Sequence, residues 1–216
     1  MKLAPFIPAL LSLLLPTTFA APTAAPYTDP KSGIKFNAFT DTATGYFFGI
    51  ALPPTTGKDF IATIGGKGTG WSGVSLGGGM LNKLLIVAWP NGQSIVSSFR
   101  KTASYGSPPL STTPTTIFHP IANGTYTNAT HWTYTFLCSS CILADGTTFA
   151  ASDTAPGFGW AVNPAAPDLK TNPAAQVKKH TAQGQVKVDF AAARSESFEL
   201  WKGWALAGNG TRRWVA

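Results

Sequence analysis

Short runs of alternating or nearly continuous apolar residues recur along the chain, separated by clusters of Gly, Pro, Asn and Asp. Gly33 to Phe39 alternates apolar with polar positions, as a half-buried strand does. Tyr46 to Leu52 is a second run, ended by Pro53-Pro54, and Phe60 to Ile64 and Trp71 to Leu76 follow with glycines between them. Leu84 to Trp89 is almost entirely apolar, which predicts a central strand covered on both faces. Pro90-Asn91-Gly92 is a turn signal, and Ser94 to Phe99 returns as the hairpin partner. Thr115 to His119, Thr130 to Leu137 and Gly157 to Val162 continue the series. Strands at this spacing predict an all-β protein: an antiparallel β-sandwich of two sheets, immunoglobulin-like in architecture. Residues 21–26 read as a loose Ala/Pro-rich leader, residues 163–172 as a proline-rich loop, and a short strand is predicted to begin near Lys187. Ala191 to Trp204 has the composition of a short C-terminal helix. Neither a repeat nor a linker divides residues 21–216, so they read as one domain.

Composition supports this pattern. Of 216 residues only 12% are charged, while 22 glycines and 17 prolines supply turns. A hydrophobic content of 44% is enough for a packed core. Residues 1–20 read as a secretory signal peptide: Lys2, the apolar run Leu3 to Leu15, then small residues around Ala20. That run is too short and too proline-broken to span a bilayer comfortably, and no later one is long and apolar enough, so we expect a secreted, extracellular protein without a membrane segment. The net charge of +7 would suit nucleic acid, but an extracellular route favours an acidic protein or polysaccharide, or simply a solubilising surface.

The chemistry-bearing residues are few. Cys138 and Cys141 are the two cysteines, and in a secreted chain they read as a structural disulfide pinning a turn. A thioredoxin-like redox site would need a helix start, and a zinc site two more ligands. Ile142 stands where covalent c-type haem attachment requires a histidine. Asn123, Asn128 and Asn209 begin glycosylation sequons, each an exposed loop if used. The chain lacks a nucleophile elbow, a phosphate-binding Gly-rich loop and a close carboxylate pair, which disfavours conventional hydrolases. Met80, the one methionine besides Met1, follows Gly77-Gly78-Gly79. Glycines let backbone approach a flat ligand, and a thioether is a soft ligand for haem iron or copper, although a buried methionine can equally fill a core gap. Of the three histidines, His131 lies in an apolar strand, His119 at a strand end, and His180 in a polar loop after Lys178-Lys179.

From Tyr27 to about Thr181 the chain resembles the cytochrome domain of fungal cellobiose dehydrogenases. The likeness runs from Tyr27-Thr28-Asp29-Pro30 through the segment Gly73 to Gly92, then Ile95-Val96-Ser97-Ser98, Arg100, Tyr105-Gly106, Thr130-His131-Trp132, the cysteine pair and Gly159-Trp160-Ala161. The resemblance implies a two-sheet sandwich carrying haem b, with Met80 and His180 as axial ligands to the iron and Tyr105 hydrogen-bonded to a haem propionate. It also implies that Cys138 and Cys141 are the family's disulfide. Where the family usually has a Phe/Gly-rich stretch after the histidine, this chain has Thr181-Ala182-Gln183-Gly184. The chain ends soon after Trp214, so the likeness is to free-standing members that lack the flavin dehydrogenase.

The implied function is single-electron transfer. With both axial positions filled, no site remains for substrate on the metal. The expected partners are redox proteins, with a flavin dehydrogenase as donor and a copper polysaccharide monooxygenase as acceptor, or small mediators such as quinones and ferric complexes. We expect a monomer, with Lys178 and Lys179 as a docking rim. Ferric reductase turnover is a further reading. The alternative is a carbohydrate-binding sandwich without haem, its seven tryptophans supplying stacking faces.

Overall fold

A computed structural model describes residues 22–112 and 115–207. The strands are β1 (Ala25–Thr28), β2 (Lys35–Asp41), β3 (Tyr46–Ala51), β4 (Phe60–Lys67), β5 (Trp71–Ser75), β6 (Leu85–Asn91), β7 (Ser94–Arg100), β8 (Ile117–Pro120), β9 (Tyr126–Thr127), β10 (His131–Ser139), β11 (Gly157–Asn163) and β12 (Ala182–Lys187). Two helices follow, α1 (Phe190–Ala193) and α2 (Phe198–Ala207). The strands form two antiparallel sheets. One has seven strands in the order β1-β2-β3-β4-β10-β8, with β9 also on β10; the other has five in the order β12-β11-β5-β6-β7.

The core lies between the sheets. Phe48, Ile50, Phe60, Ala62, Ile64, Tyr134 and Phe136 face Val74, Ile86, Ala88, Phe158 and Val162 across it. Alternate residues therefore point away from the core, and each sheet must cover a second face. On the seven-stranded sheet α2 does this, with Phe198, Trp201 and Ala205 on one side of the helix packed over Ile34, Phe36, Ile61 and Leu137. On the five-stranded sheet, irregular chain from residues 164–180 covers Trp71, Val87 and Trp89 with Ala175 and Val177.

Three expectations change. Residues 22–26 of the expected loose leader are held: Ala24 N–H donates to Lys187 O at 2.9 Å, Lys187 N–H donates to Pro22 O at 3.0 Å, and Ala25 begins a strand on β2. The N-terminal segment thus links an edge of one sheet to an edge of the other, closing two exposed edges. The strand expected to begin near Lys187 instead ends there. Its outward residues Gln183, Gln185 and Lys187 are all polar and hide the inward series Ala182, Gly184 and Val186. The expected single C-terminal helix is broken, because extended Arg194 pairs with Leu52 and its guanidinium donates to Pro53 O at 2.8 Å. Asp189 caps the first piece, accepting from Ala191 N–H at 2.8 Å.

Candidate haem site

Cys138 and Cys141 form a disulfide, with both cysteines fully buried. It closes a turn in which Ser140 has φ +55° and donates its N–H to Asp59 at 2.8 Å. Both sulfurs are consumed and out of reach of solvent, so neither metal ligation nor thiol exchange is open to them. Among the described residues no three His, Cys, Asp or Glu side chains gather as a metal site. Any metal centre must therefore use another donor set.

Met80 and His180 are the remaining soft and imidazole donors. Met80 is half-buried in the loop between β5 and β6, and that loop is seated by backbone contact. Gly78, at φ +85°, lays its carbonyl over Gly159 of β11, where an added Cβ would meet that oxygen at 2.1 Å. The stem of Lys83 fills the place a side chain on Gly77 would take, and Asn82 N–H donates to Thr102 O at 2.7 Å. Gly77 and Gly78 therefore fit the loop to itself and to β11, while the space beside Gly79 is open.

His180 is half-buried and stands two residues before β12. Its neighbours are fixed to the end of β11: Asn163 Nδ2 donates to Lys179 O at 2.6 Å, and Thr181 N–H donates to Val162 O at 2.9 Å. The imidazole itself has no hydrogen-bond partner among the described residues. The other histidines are engaged. His131 is exposed at the start of β10, its Nδ1 2.9 Å from Thr130 Oγ1, and is not part of a packed core. His119 also has a partner.

Register places the two donors relative to each other. Gly159, Ala161 and Asn163 point away from the core on β11, because Phe158 and Val162 point into it. Met80's loop rests on Gly159 and the His180 segment hangs on Asn163, four residues along one strand face, or about 13 Å at the rise of a strand. The row between them is Ala161, Gly73, Val87 and Ser98, in register across β11, β5, β6 and β7. The side chains of that row are small and, apart from Ala161, buried, with Val87 packed under Ala175 and Val177, and the next row, through Trp71, Trp89 and Val96, is bulky. The register thus brings the Met80 loop and the His180 segment to two ends of one strand face, with the row of Ala161, Gly73, Val87 and Ser98 between their footings. A cavity of about 380 Å³ also opens at the base of Met80's loop, beside Leu76, Lys83, Phe149 and Asp153. Neither Met80 nor His180 lines it, and it offers no comparable donor pair.

A third loop completes the surroundings. Residues 101–110 carry Tyr105, which is 82% exposed. Ser107 Oγ accepts Val177 N–H at 3.0 Å, which joins this loop to the His180 segment. Behind β11, Trp160 stacks on Tyr46 with ring centroids 5.0 Å apart. Burial raises the Tyr46 phenol well above its ordinary value, so it stays protonated and serves packing.

The sequence profile of the cytochrome domain of cellobiose dehydrogenase matches residues 27–200. The chain belongs to this family. The cytochrome domain of cellobiose dehydrogenase from Myriococcum thermophilum superposes with a TM-score of 0.76 at 28% identity, covering 85% of this chain and 96% of that one. The cytochrome b domain of pyranose dehydrogenase from Coprinopsis cinerea superposes with a TM-score of 0.77 at 23% identity, over 85% and 96% of the two chains, and shares the fold. The pyrroloquinoline quinone-dependent pyranose dehydrogenase of Coprinopsis cinerea is 27% identical over 180 residues, 80% of this chain but 24% of that protein. This chain therefore spans about a quarter of the length of the curated relatives it matches.

Haem b is the group such a cytochrome domain carries. Met80 and His180 would offer it a thioether and an imidazole, a donor pair suited to haem iron and not to calcium or magnesium. The fold, the disulfide and the cytochrome family were all readable beforehand. Asn163, Gly159 and Arg100, which fix the His180 segment, the Met80 loop and the Tyr105 loop, did not stand out in the sequence for these roles. Gly159 and Arg100 were visible only as parts of the resemblance. Asn123 and Asn128 are exposed, and Asn128 Oδ1 accepts from Thr130 N–H at 2.9 Å and His131 N–H at 2.8 Å. Asn209 and the 1–20 leader lie outside the described residues.

Proposed function

We propose that this chain is a secreted b-type cytochrome that passes single electrons through a haem held between Met80 and His180. The observation that carries the reading is the placement of Met80's loop on Gly159 and of the His180 segment on Asn163, on one face of β11. When bound, haem would supply a one-electron valence change, and ligation by a thioether and an imidazole favours the reduced state relative to two imidazoles. Met80 would supply the sulfur from its loop, and His180 a ring nitrogen that has no hydrogen-bond partner among the described residues. Tyr105, exposed on its loop, would hydrogen-bond a propionate, as the family resemblance implies.

The relatives that carry this domain are sugar dehydrogenases, so a dehydrogenase is the proposed electron donor. A copper polysaccharide monooxygenase, ferric iron or a quinone is the proposed acceptor. Lys170, Lys178 and Lys179 are exposed along the segment leading to His180. Asp168 is their one ion-pair partner among the described residues, 3.8 Å from Lys178 and largely solvated, so it neutralises little. This rim fits an acidic partner, with association rates that fall as ionic strength rises.

Absorption spectra of the purified protein before and after dithionite test the reading. We expect a Soret band that shifts and sharpens on reduction. Met80→Ala and His180→Ala should each lose the six-coordinate spectrum. A colourless protein that pulls down on cellulose or chitin would instead establish the carbohydrate-binding alternative. A red protein whose spectrum survives both substitutions would reject the ligand assignment.

A further inference from the structure

Arg100 is a buried cation with no anion. It is 1% exposed, at the end of β7. Its Nε donates to Ser98 Oγ at 2.9 Å, its Nη1 to Pro108 O at 2.9 Å, and its Nη2 to Pro173 O at 2.7 Å and Ala175 O at 2.8 Å. The guanidinium carbon lies 5.7 Å from the ring centroid of Trp89. Among the described residues no carboxylate pairs with it. Burial lowers its pKa, but a guanidinium keeps its proton at neutral pH. Burying a charge is costly unless it is compensated, and here neutral oxygens alone compensate it.

Those oxygens lie on two separate segments. Pro108 is in the loop that carries Tyr105; Pro173 and Ala175 are in the segment that ends at His180. The planar fork of a guanidinium can bind both at fixed angles, whereas an ammonium, as a point charge, cannot hold the same geometry. Arg100 also stands in the row beneath Met80's loop, in register with Leu85, Ser75 and Gly159. Three strand spacings, about 14 Å measured across the sheet, separate it from Gly159. A fixed positive charge that close, shielded from water, disfavours whichever state of a neighbouring centre is the more positive.

We propose that Arg100 is a positioning residue of the haem site: its guanidinium clamps the His180 segment to the Tyr105 loop, and its charge, unpaired with any carboxylate among the described residues, raises the reduction potential of the haem. The proposal rests on the haem reading above and adds two separable effects to it. The clamp requires the fork, and the potential requires the charge.

Arg100→Lys and Arg100→Gln in the haem-loaded protein separate them, with haem transfer to apomyoglobin, the reduction potential and thermal unfolding as readouts. Arg100→Lys should release haem at least several-fold faster at a potential near that of the unaltered protein. Arg100→Gln should also release it faster, and at a lower potential. Trp201→Phe, which loosens the opposite sheet, serves as the control for general destabilisation and should leave haem release unchanged. Ser107→Ala removes only the hydroxyl that receives Val177 N–H across the same junction. It should speed haem release in the same direction, and it keeps the test alive if the Arg100 variants do not fold. Potentials and release rates unchanged in all three site variants would overturn the proposal. So would release that simply tracks thermal stability, Trp201→Phe included. If the unaltered protein binds no haem, the underlying reading fails instead, and the two failures are distinguishable at the first spectrum.

Discussion

The two sheets solve the same problem in different ways. Each has a face turned from the core that must be covered. On the seven-stranded sheet the cover is α2, whose backbone satisfies its own hydrogen bonds and whose Phe198, Trp201 and Ala205 fill the space beneath. On the five-stranded sheet the cover is loop, whose carbonyls and amides need outside partners. Asn163, Arg100 and the Trp89 indole provide them, the last by donating to Lys170 O at 2.8 Å. The helical cover buries its whole contact. The loop cover brings the Met80 loop and the His180 segment to two ends of one face of β11, where we propose the haem site. Covering by helix adds packing alone, and covering by tethered loops brings distant segments together.

That contrast can be broken in order of expected effect. Trp201→Ala should cost about 3–5 kcal/mol of folding stability, measured by denaturant unfolding, because it empties a large volume under α2. Haem bound to the remaining folded protein should keep its spectrum. Gly159→Ala works on the other face. Its Cβ would strike the Gly78 carbonyl, which is backbone and cannot swing aside, so about 1–3 kcal/mol is expected along with a shifted Met80 loop. Unlike Trp201→Ala, it should change the axial-ligand spectrum out of proportion to its stability cost.

Asp59 sharpens the comparison on the α2 side. Its carboxylate accepts from Lys202 Nζ at 2.9 Å and from Ser140 N–H at 2.8 Å, tying the helix to the disulfide turn. Burial opposes ionisation of Asp59, but the Ser140 N–H and the Lys202 ammonium outweigh it and hold the carboxyl below its ordinary value of 3.8. A lowered carboxylate pKa stabilises the fold above that value, and the contribution is lost as pH falls through the lower folded value. Asp59→Asn should therefore cost about 1–2 kcal/mol at neutral pH. The gap from the unaltered protein should close in melts below pH 3.8. The smallest effect belongs to Asn163→Ala, about 1 kcal/mol for the bond to Lys179 O. Its haem release should nonetheless quicken, because that bond holds the residue next to His180.

Much of this was legible in the chain itself. Nine of the twelve strands among the described residues were visible as a run of period two or as a continuous apolar stretch, Leu84 to Trp89 was read as covered on both faces, and the two-residue β9 was missed as too short to show a period. β12 was misplaced because its exposed face is Gln, Gln and Lys, and its inner face includes Gly184, over which the Trp160 ring lies. β1 was missed because Ala25-Pro26 carries no apolar alternation; pairing to Lys187 and to β2 orders it. The broken helix has the same cause. Ala191 to Ala193 favours helix locally, but Arg194 gains a strand bridge to Leu52 from the far side of the sequence.

By itself the sequence determined the two-sheet architecture, the disulfide turn and the cytochrome family, because periodicity, turn residues and motif order are properties of near neighbours in the chain. Only the tertiary structure decided that the Met80 loop and the His180 segment meet the outer face of the five-stranded sheet, on Gly159 and Asn163, and that Arg100 bonds both the Tyr105 loop and the His180 segment. Those contacts depend on register between strands and on which carbonyl meets which donor across gaps of up to 81 residues, and no local pattern encodes that.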